Sequence, residues 1–194
     1  MNELDRLIYV FSKLPGLGMR SARRIVLYLL QNRELKLKGL LDCMNHAMQK
    51  IIQCSCGNLD TVKPCSICSD IKRNNKIIAV VENISDIWSI EKSGVFSGKY
   101  HVLGGLLSAS RDYAPDKFNL QRLKQVIEQY NVEEVIICTS STVDGQTTAF
   151  FITDFLKDLN CIVSRLASGM PIGGEIDYLD ESTISAAIKL RQPF

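Results

Sequence analysis

The sequence predicts an α/β protein with an all-α N-terminal part: a helix-hairpin-helix, a four-cysteine knuckle, then a mostly parallel α/β sheet. Three observations predict this architecture. Leu4, Leu7, Ile8 and Phe11 recur at helical spacing near the start. Cys54, Cys56, Cys65 and Cys68 crowd into the fifteen residues CSCGNLDTVKPCSIC. From Ile77 onward, short apolar runs alternate with helical segments, the pattern of a parallel sheet with helices on its faces.

The first dozen residues read as an amphipathic helix that stops at Pro15-Gly16. Leu17-Gly18 completes a tight connection, and Ser21 begins a second helix, SARRIVLYLLQ, with Ile25 and Leu29 facing inward. A third helical pattern covers about 35–52 and leads into the cysteines. Beyond the polar stretch SDIKRNNK, Ile77 to Val81 is a continuous apolar run ending in Glu82, the mark of a strand buried on both faces. Tyr100 to Leu103, Val135 to Cys138 and Cys161 to Leu166 read as further buried strands. Asn119 to Tyr130 and Thr147 to Leu159 read as intervening helices, and Ser182 to Leu190 as a closing one. The expected division is a helical domain over 1–53, a knuckle over 54–76, an α/β domain over 77–167, and a segment over 168–194 that completes the fold or an assembly.

Composition bounds the function. Apolar residues make up 46% of the 194, enough for a core, and charged residues 23%, ordinary for a soluble protein. The opening MNELDRLIYVFSKL is acidic at once and reads as neither signal peptide nor membrane span. Seven cysteines fit a reducing cytoplasm, with Cys43, Cys138 and Cys161 expected as buried small side chains. Residues 1 to 76 carry 13 Lys and Arg against 6 Asp and Glu, whereas residues 77 to 194 carry 10 against 15. Polyanion binding therefore belongs to the front, unless the unevenness is only solvated surface.

Three groups of residues carry chemistry. In LPGLGMRSARRIVLYLL, Gly16 and Gly18 turn the chain between helices, and Arg20, Arg23 and Arg24 stand at the start of the second, where cations oppose the helix dipole. Phosphate held between helix N–H groups and guanidinium explains that placement, which points to nucleic-acid backbone; the alternative is an αα-corner with its arginines in water. Cys54, Cys56, Cys65 and Cys68 can reach one tetrahedral structural zinc, although Cys54-Ser-Cys56 has only a one-residue gap; a redox or metal-free remnant is the alternative. Glu82 and Asp144 follow predicted strands whose carboxyl ends converge, a place where carboxylates can hold Mg²⁺ for phosphoryl chemistry, or simply cap loops and helices. The third candidate there, Gln146, is neutral and weakens a catalytic metal. A phosphate loop of the GxxxxGK[ST] type is absent, His46 reads as surface, His101 lies at a strand start, and Trp88 reads as core.

From end to end these residues resemble the bacterial recombination mediator family RecR. LPGLGMRSARRIVLYLL looks like that family's helix-hairpin-helix, and CGNL followed by PCSICSD like its zinc knuckle. AVVENISDIWSIEKSGVFSGKYHVLGG looks like the opening of its Toprim domain, TSSTVDGQTTA like that domain's second acidic motif, and SRLASGMPIGGEIDYLDESTISAAI like its closing segment. The resemblance implies a cytoplasmic, nucleoid-associated protein of recombinational DNA repair without catalytic activity of its own. It implies a ring-like tetramer that encircles DNA and acts with RecO and RecF to load RecA on gapped DNA. Matched by motif, the DNA-contacting positions fall on Arg20 and Arg24, and the Toprim acidic positions, tied to partner contact or a latent Mg²⁺ site, on Glu82 and Asp144. An Mg²⁺-dependent Toprim nuclease, primase or topoisomerase is the alternative. Three departures from the family pattern stand out: the Cys54-Cys56 gap, Gln146 in place of an acid, and the loop LLSASRDYAPDKF, which keeps only Pro115 of a Pro- and Gly-rich turn.

Overall fold

The computed structural model describes residues 1–108, 118–167 and 169–191. The chain forms two compact units, Met1–Ile51 and Ile52–Phe194.

In the first unit, α1 (Glu3–Ser12) opens on Asn2, whose side chain accepts the Asp5 N–H at 2.8 Å. Helix α2 (Met19–Gln31) starts two residues before the expected Ser21, on an extended Gly18. Its stripe of Ala22 and Val26 meets Ile8 of α1, with Leu7, Phe11 and Leu30 packed around them. The expected third helix divides into a π-helical turn (Arg33–Leu37) and α3 (Lys38–Lys50). Helix α3 buries no residue, so Cys43 is exposed rather than buried, beside exposed Leu40, Leu41, Met44 and Met48.

The second unit opens with an antiparallel hairpin, β1 (Ile52–Gln53) and β2 (Leu59–Asp60), followed by one helical turn, α4 (Ser66–Ser69). The sheet contains β3 (Ile77–Val81), β4 (Lys99–Val102), β5 (Glu134–Cys138) and β6 (Ile162–Arg165) in the order β4-β3-β5-β6, all parallel. The run IIAVV occupies the centre because it is apolar at every position. Ile78 and Val80 face one core with Leu123 and Ile127 of α6 (Leu120–Tyr130) and Ile152 and Leu156 of α7 (Val143–Leu156). Ala79 and Val81 face a second core with Ile87 of α5 (Ile84–Ser93) and Tyr100. A short helix, α8 (Glu181–Lys189), capped by Asp180, closes the described chain.

Several expectations need correction. Trp88 is 70% exposed, because the stripe of α5 runs through Ile87 and Ile90 and leaves Trp88 on the opposite side. Helix α7 begins at Val143, not Thr147, which puts Asp144 inside the first helical turn instead of in a loop. Strand β6 is a sheet edge with Ile162 exposed, not a buried strand, and Cys138 and Cys161 are half-buried. Pro115 and most of its loop lie outside the described residues.

Candidate functional site

The turn between α1 and α2 places Gly16 at φ +76°, a left-handed conformation that favours glycine. Gly18 differs: it is extended, its N-cap position provides no side-chain hydrogen bond, and a Cβ there would meet nothing within 4 Å. The first N–H groups of α2 therefore open onto an unobstructed surface. Arg20 lies in the first turn, while Arg23 and Arg24 lie in the second, one turn later than expected. All three are exposed, and among the described residues none is in an ion pair. Arginine charge here lies beside a helix N-terminus without an acid to neutralise it.

The four cysteine sulfurs lie within 4.8 Å of one another, and no other group of three or more His, Cys, Asp or Glu among the described residues is placed to hold a metal. The Cys56 and Cys65 sulfurs are 3.7 Å apart. Bonds of about 2.3 Å in a tetrahedron require S–S edges of about 3.8 Å, so this edge already has the spacing of a zinc tetrathiolate. The one-residue gap is absorbed by a tight turn. Cys54 N–H donates to Asn58 O at 2.8 Å and Gly57 N–H to Cys54 O at 2.9 Å, with Gly57 at φ +93°. Cys54 Sγ then accepts the Cys65 N–H at 3.4 Å. Cys56 is held as thiolate, down to about 5, chiefly by the Cys68 thiol and also by the Asn58 N–H, while Cys68 is pushed up as the group that keeps its proton. Burial pushes the Cys65 thiol up. Crowded sulfurs that share protons this way fit a cation at their centre. Asn58 is buried at the cluster, and its Oδ1 is a buried polar atom without a partner among the described residues. The donor set thus fits a metal ion of zinc type.

This knuckle is seated on the edge strand β4. Val102 N–H donates to Cys56 O at 2.8 Å, and a Cβ on Gly57 would lie 2.6 Å from Val102 Cβ. Lys99 Nζ donates to three carbonyl oxygens, of Ile67, Cys68 and Asp70, at 2.9, 3.1 and 2.9 Å. At the exit of the knuckle, Arg73 grips the Glu91 carboxylate and Gly98 O, and Tyr100 OH donates to the same carboxylate.

Glu82 and Asp144 stand at the carboxyl ends of β3 and β5, neighbours in the sheet. Their loops meet, because the Glu82 carboxylate accepts the Ser140 N–H. Both residues are half-buried. Gln146 does not join them as a ligand: its Nε2 donates to Ser141 O at 3.0 Å and closes the loop. Gly145 packs so tightly that a Cβ would sit 2.2 Å from Ser140 O. Ser140, Asn58 and Lys99 were not singled out by sequence reasoning. The contacts of Lys99 and Ser140 span 29 or more residues, where no local pattern signals them.

Comparison with known proteins agrees with this layout. Residues 4–48 match the RecR helix-hairpin-helix, 76–167 the Toprim domain, and 169–192 the RecR C-terminal region. The whole chain is 55% identical to the recombination protein RecR of Rickettsia bellii, covering 97% of that protein. It is also 55% identical to those of Rickettsia conorii and Rickettsia canadensis, covering 96% and 98% of them. The chain belongs to the RecR family. No helix among the described residues is long and apolar enough to cross a membrane.

Proposed function

We propose that this chain is a DNA-binding mediator of recombinational repair that works at the nucleoid and carries out no chemistry of its own. The observation that carries the reading is the open N-terminus of α2, where Gly18 leaves the N–H groups clear and Arg20, Arg23 and Arg24 are exposed and unneutralised. Such a surface binds sugar-phosphate backbone with little regard to sequence. In this reading Gly16 and Gly18 shape the contact, and Arg20 and Arg24 hold phosphates.

Zinc at Cys54, Cys56, Cys65 and Cys68 is structural, since four thiolates leave no open coordination position. The Glu82–Asp144 edge serves partner contact rather than Mg²⁺ chemistry, because Gln146 is neutral and turned to a backbone carbonyl. RecO and RecF are the proposed partners, and RecA loading on gapped DNA the proposed outcome.

Assembly into a ring-like tetramer is part of the same proposal. Helix α3 presents Leu41, Met44 and Met48 to solvent, and the closing segment presents Ile172, Ile176 and Tyr178. Exposed apolar surface in each unit supports two separate self-contacts, and two different two-fold contacts can close four copies. Several copies on one DNA molecule would supply the avidity that three arginines per chain do not.

The test is a DNA-binding titration across salt concentrations with wild type and the double variant Arg20→Ala, Arg24→Ala. Each lost phosphate contact lowers the slope of log K against log salt by about 0.9 on duplex or about 0.7 on single strands. The expected result is weaker binding with a flatter salt dependence. Unchanged affinity and slope would move DNA away from this turn.

A further inference from the structure

We propose that Lys99 is a positioning residue for the metal centre: its ammonium supplies counter-charge to the metal–thiolate cluster and ties the Cys65–Cys68 half to β4. The inference rests on reading the four cysteines as a zinc site.

Lys99 is half-buried and spends all three donors on backbone carbonyls, those of Ile67, Cys68 and Asp70. Among the described residues it has no carboxylate partner. A lysine drawn out of water ordinarily has an acid beside it. Here the negative charge lies behind the carbonyls, since zinc with four thiolates carries a net charge of roughly −2. The Cys68 carbonyl places the ammonium against the backbone of a ligand itself. A helix of one turn, α4, supplies little dipole for such a cation, so the cluster is the larger attraction.

Geometry adds a second role. The Cys54–Cys56 half of the site is fixed by the Val102 N–H bond to Cys56 O, and the Cys65–Cys68 half by Lys99. Both anchors come from one four-residue strand. Without Lys99, the second pair keeps its ties to the hairpin, where Asp60 accepts the Ser66 N–H and Oγ–H at 2.8 Å, but loses its polar bonds to the sheet.

Lys99→Met, Lys99→Gln and Lys99→Arg are compared with the wild-type full chain. Zinc affinity is read by competition with a chromophoric chelator, and the thiolate-to-metal charge-transfer band is read after cobalt substitution. Outer-sphere partners of metal ligands alter affinity by about 10- to 100-fold, so the two neutral variants should lose that much. Their cobalt band should move to longer wavelength, because thiolates deprived of a nearby cation give up electrons more readily. Lys99→Arg, which keeps the charge, should restore the band. A purely structural lysine would lower the melting temperature and leave the band in place. Neutral variants with wild-type affinity and band, or an arginine variant as shifted as the methionine one, overturn the proposal. If either neutral variant fails to fold, the other and the arginine variant still decide it. A wild type that binds neither zinc nor cobalt would remove the zinc reading and this inference together, an outcome distinct from the others.

Discussion

Gly57→Ala should detach the knuckle from the sheet. Gly57 sits at φ +93°, where an L-residue is strained by about 1–3 kcal/mol. Its new methyl would also lie 2.6 Å from Val102 Cβ and 3.1 Å from Val102 O. The second contact is backbone, which no rotamer change relieves, and overpacking of this kind costs about 1–3 kcal/mol. The two effects together amount to about 2–6 kcal/mol. The loop can escape only by lengthening the Val102 N–H bond to Cys56 O, now 2.8 Å, which surrenders a hydrogen bond at the edge of the sheet. At about 2–4 °C per kcal/mol for a chain of this size, the melting midpoint should drop by at least roughly 4 °C. Gly16→Ala separates the two contributions. It has the same sign of φ, +76°, but nothing within 4 Å of its Cβ, so it should show the backbone strain alone. The assay is thermal unfolding of zinc-loaded protein followed by circular dichroism, with zinc affinity measured in parallel. If Gly57→Ala melts no lower than Gly16→Ala and binds zinc equally well, the knuckle is not seated on Val102 as described.

Two further outcomes follow from the α/β unit. His101 is 4% exposed, burial pushes its pKa below 6.5, and its Nε2 meets Phe118 O at 2.8 Å. The unfolded chain accepts a proton that folded His101 resists, so stability is full above about pH 6.5 and declines as pH falls from there toward the folded pKa. His101→Gln should flatten that segment of the melting-midpoint profile, and a variant that keeps the wild-type slope would show that another group carries it. Gly145→Ala should destabilise by about 1–3 kcal/mol, since its Cβ would press to 2.2 Å of Ser140 O and disturb the Ser140 N–H bond to Glu82. Gly39→Ala in α3, where a Cβ meets nothing, should instead stabilise by about 1 kcal/mol; equal effects in denaturant melts would refute the packing at Gly145.

The sequence revealed most where one local pattern decided one element. Ile77–Val81 is the strand that five consecutive apolar residues announce, and the four cysteines cluster as their crowding suggests. Prediction failed where the folded geometry of a turn, an exposed stripe or a distant contact decided. The helix expected from Thr147 begins at Val143, because Thr142 Oγ1 accepts the Gly145 N–H and only a glycine fits against Ser140 O. Gln146 looked like a missing acid; in the structure it has a job of its own on Ser141 O. Cys43 sits in an apolar stripe that is exposed among the described residues, and periodicity alone does not say whether a stripe faces a core or open solvent. Lys99 gave no signal because its three partners lie 29 or more residues away.

The knuckle and strand β4 each supply what the other lacks. Between residues 54 and 76 the buried side chains are Cys54, Asn58 and Cys65, all at the metal cluster, so this segment has no hydrophobic core to fold around. A bound metal can organise its interior, while β4, with Arg73 on Glu91 and Ile67 on the second core, gives it a fixed position. Strand β4, in turn, is a sheet edge whose outward N–H and C=O groups would invite pairing with another chain. Cys56 O takes the Val102 N–H, and the Lys99 side chain turns back to the carbonyls after Cys65, so the knuckle covers part of that edge. Among the described residues the opposite edge, β6, has no such cover, with Ile162 and Leu166 exposed beside it.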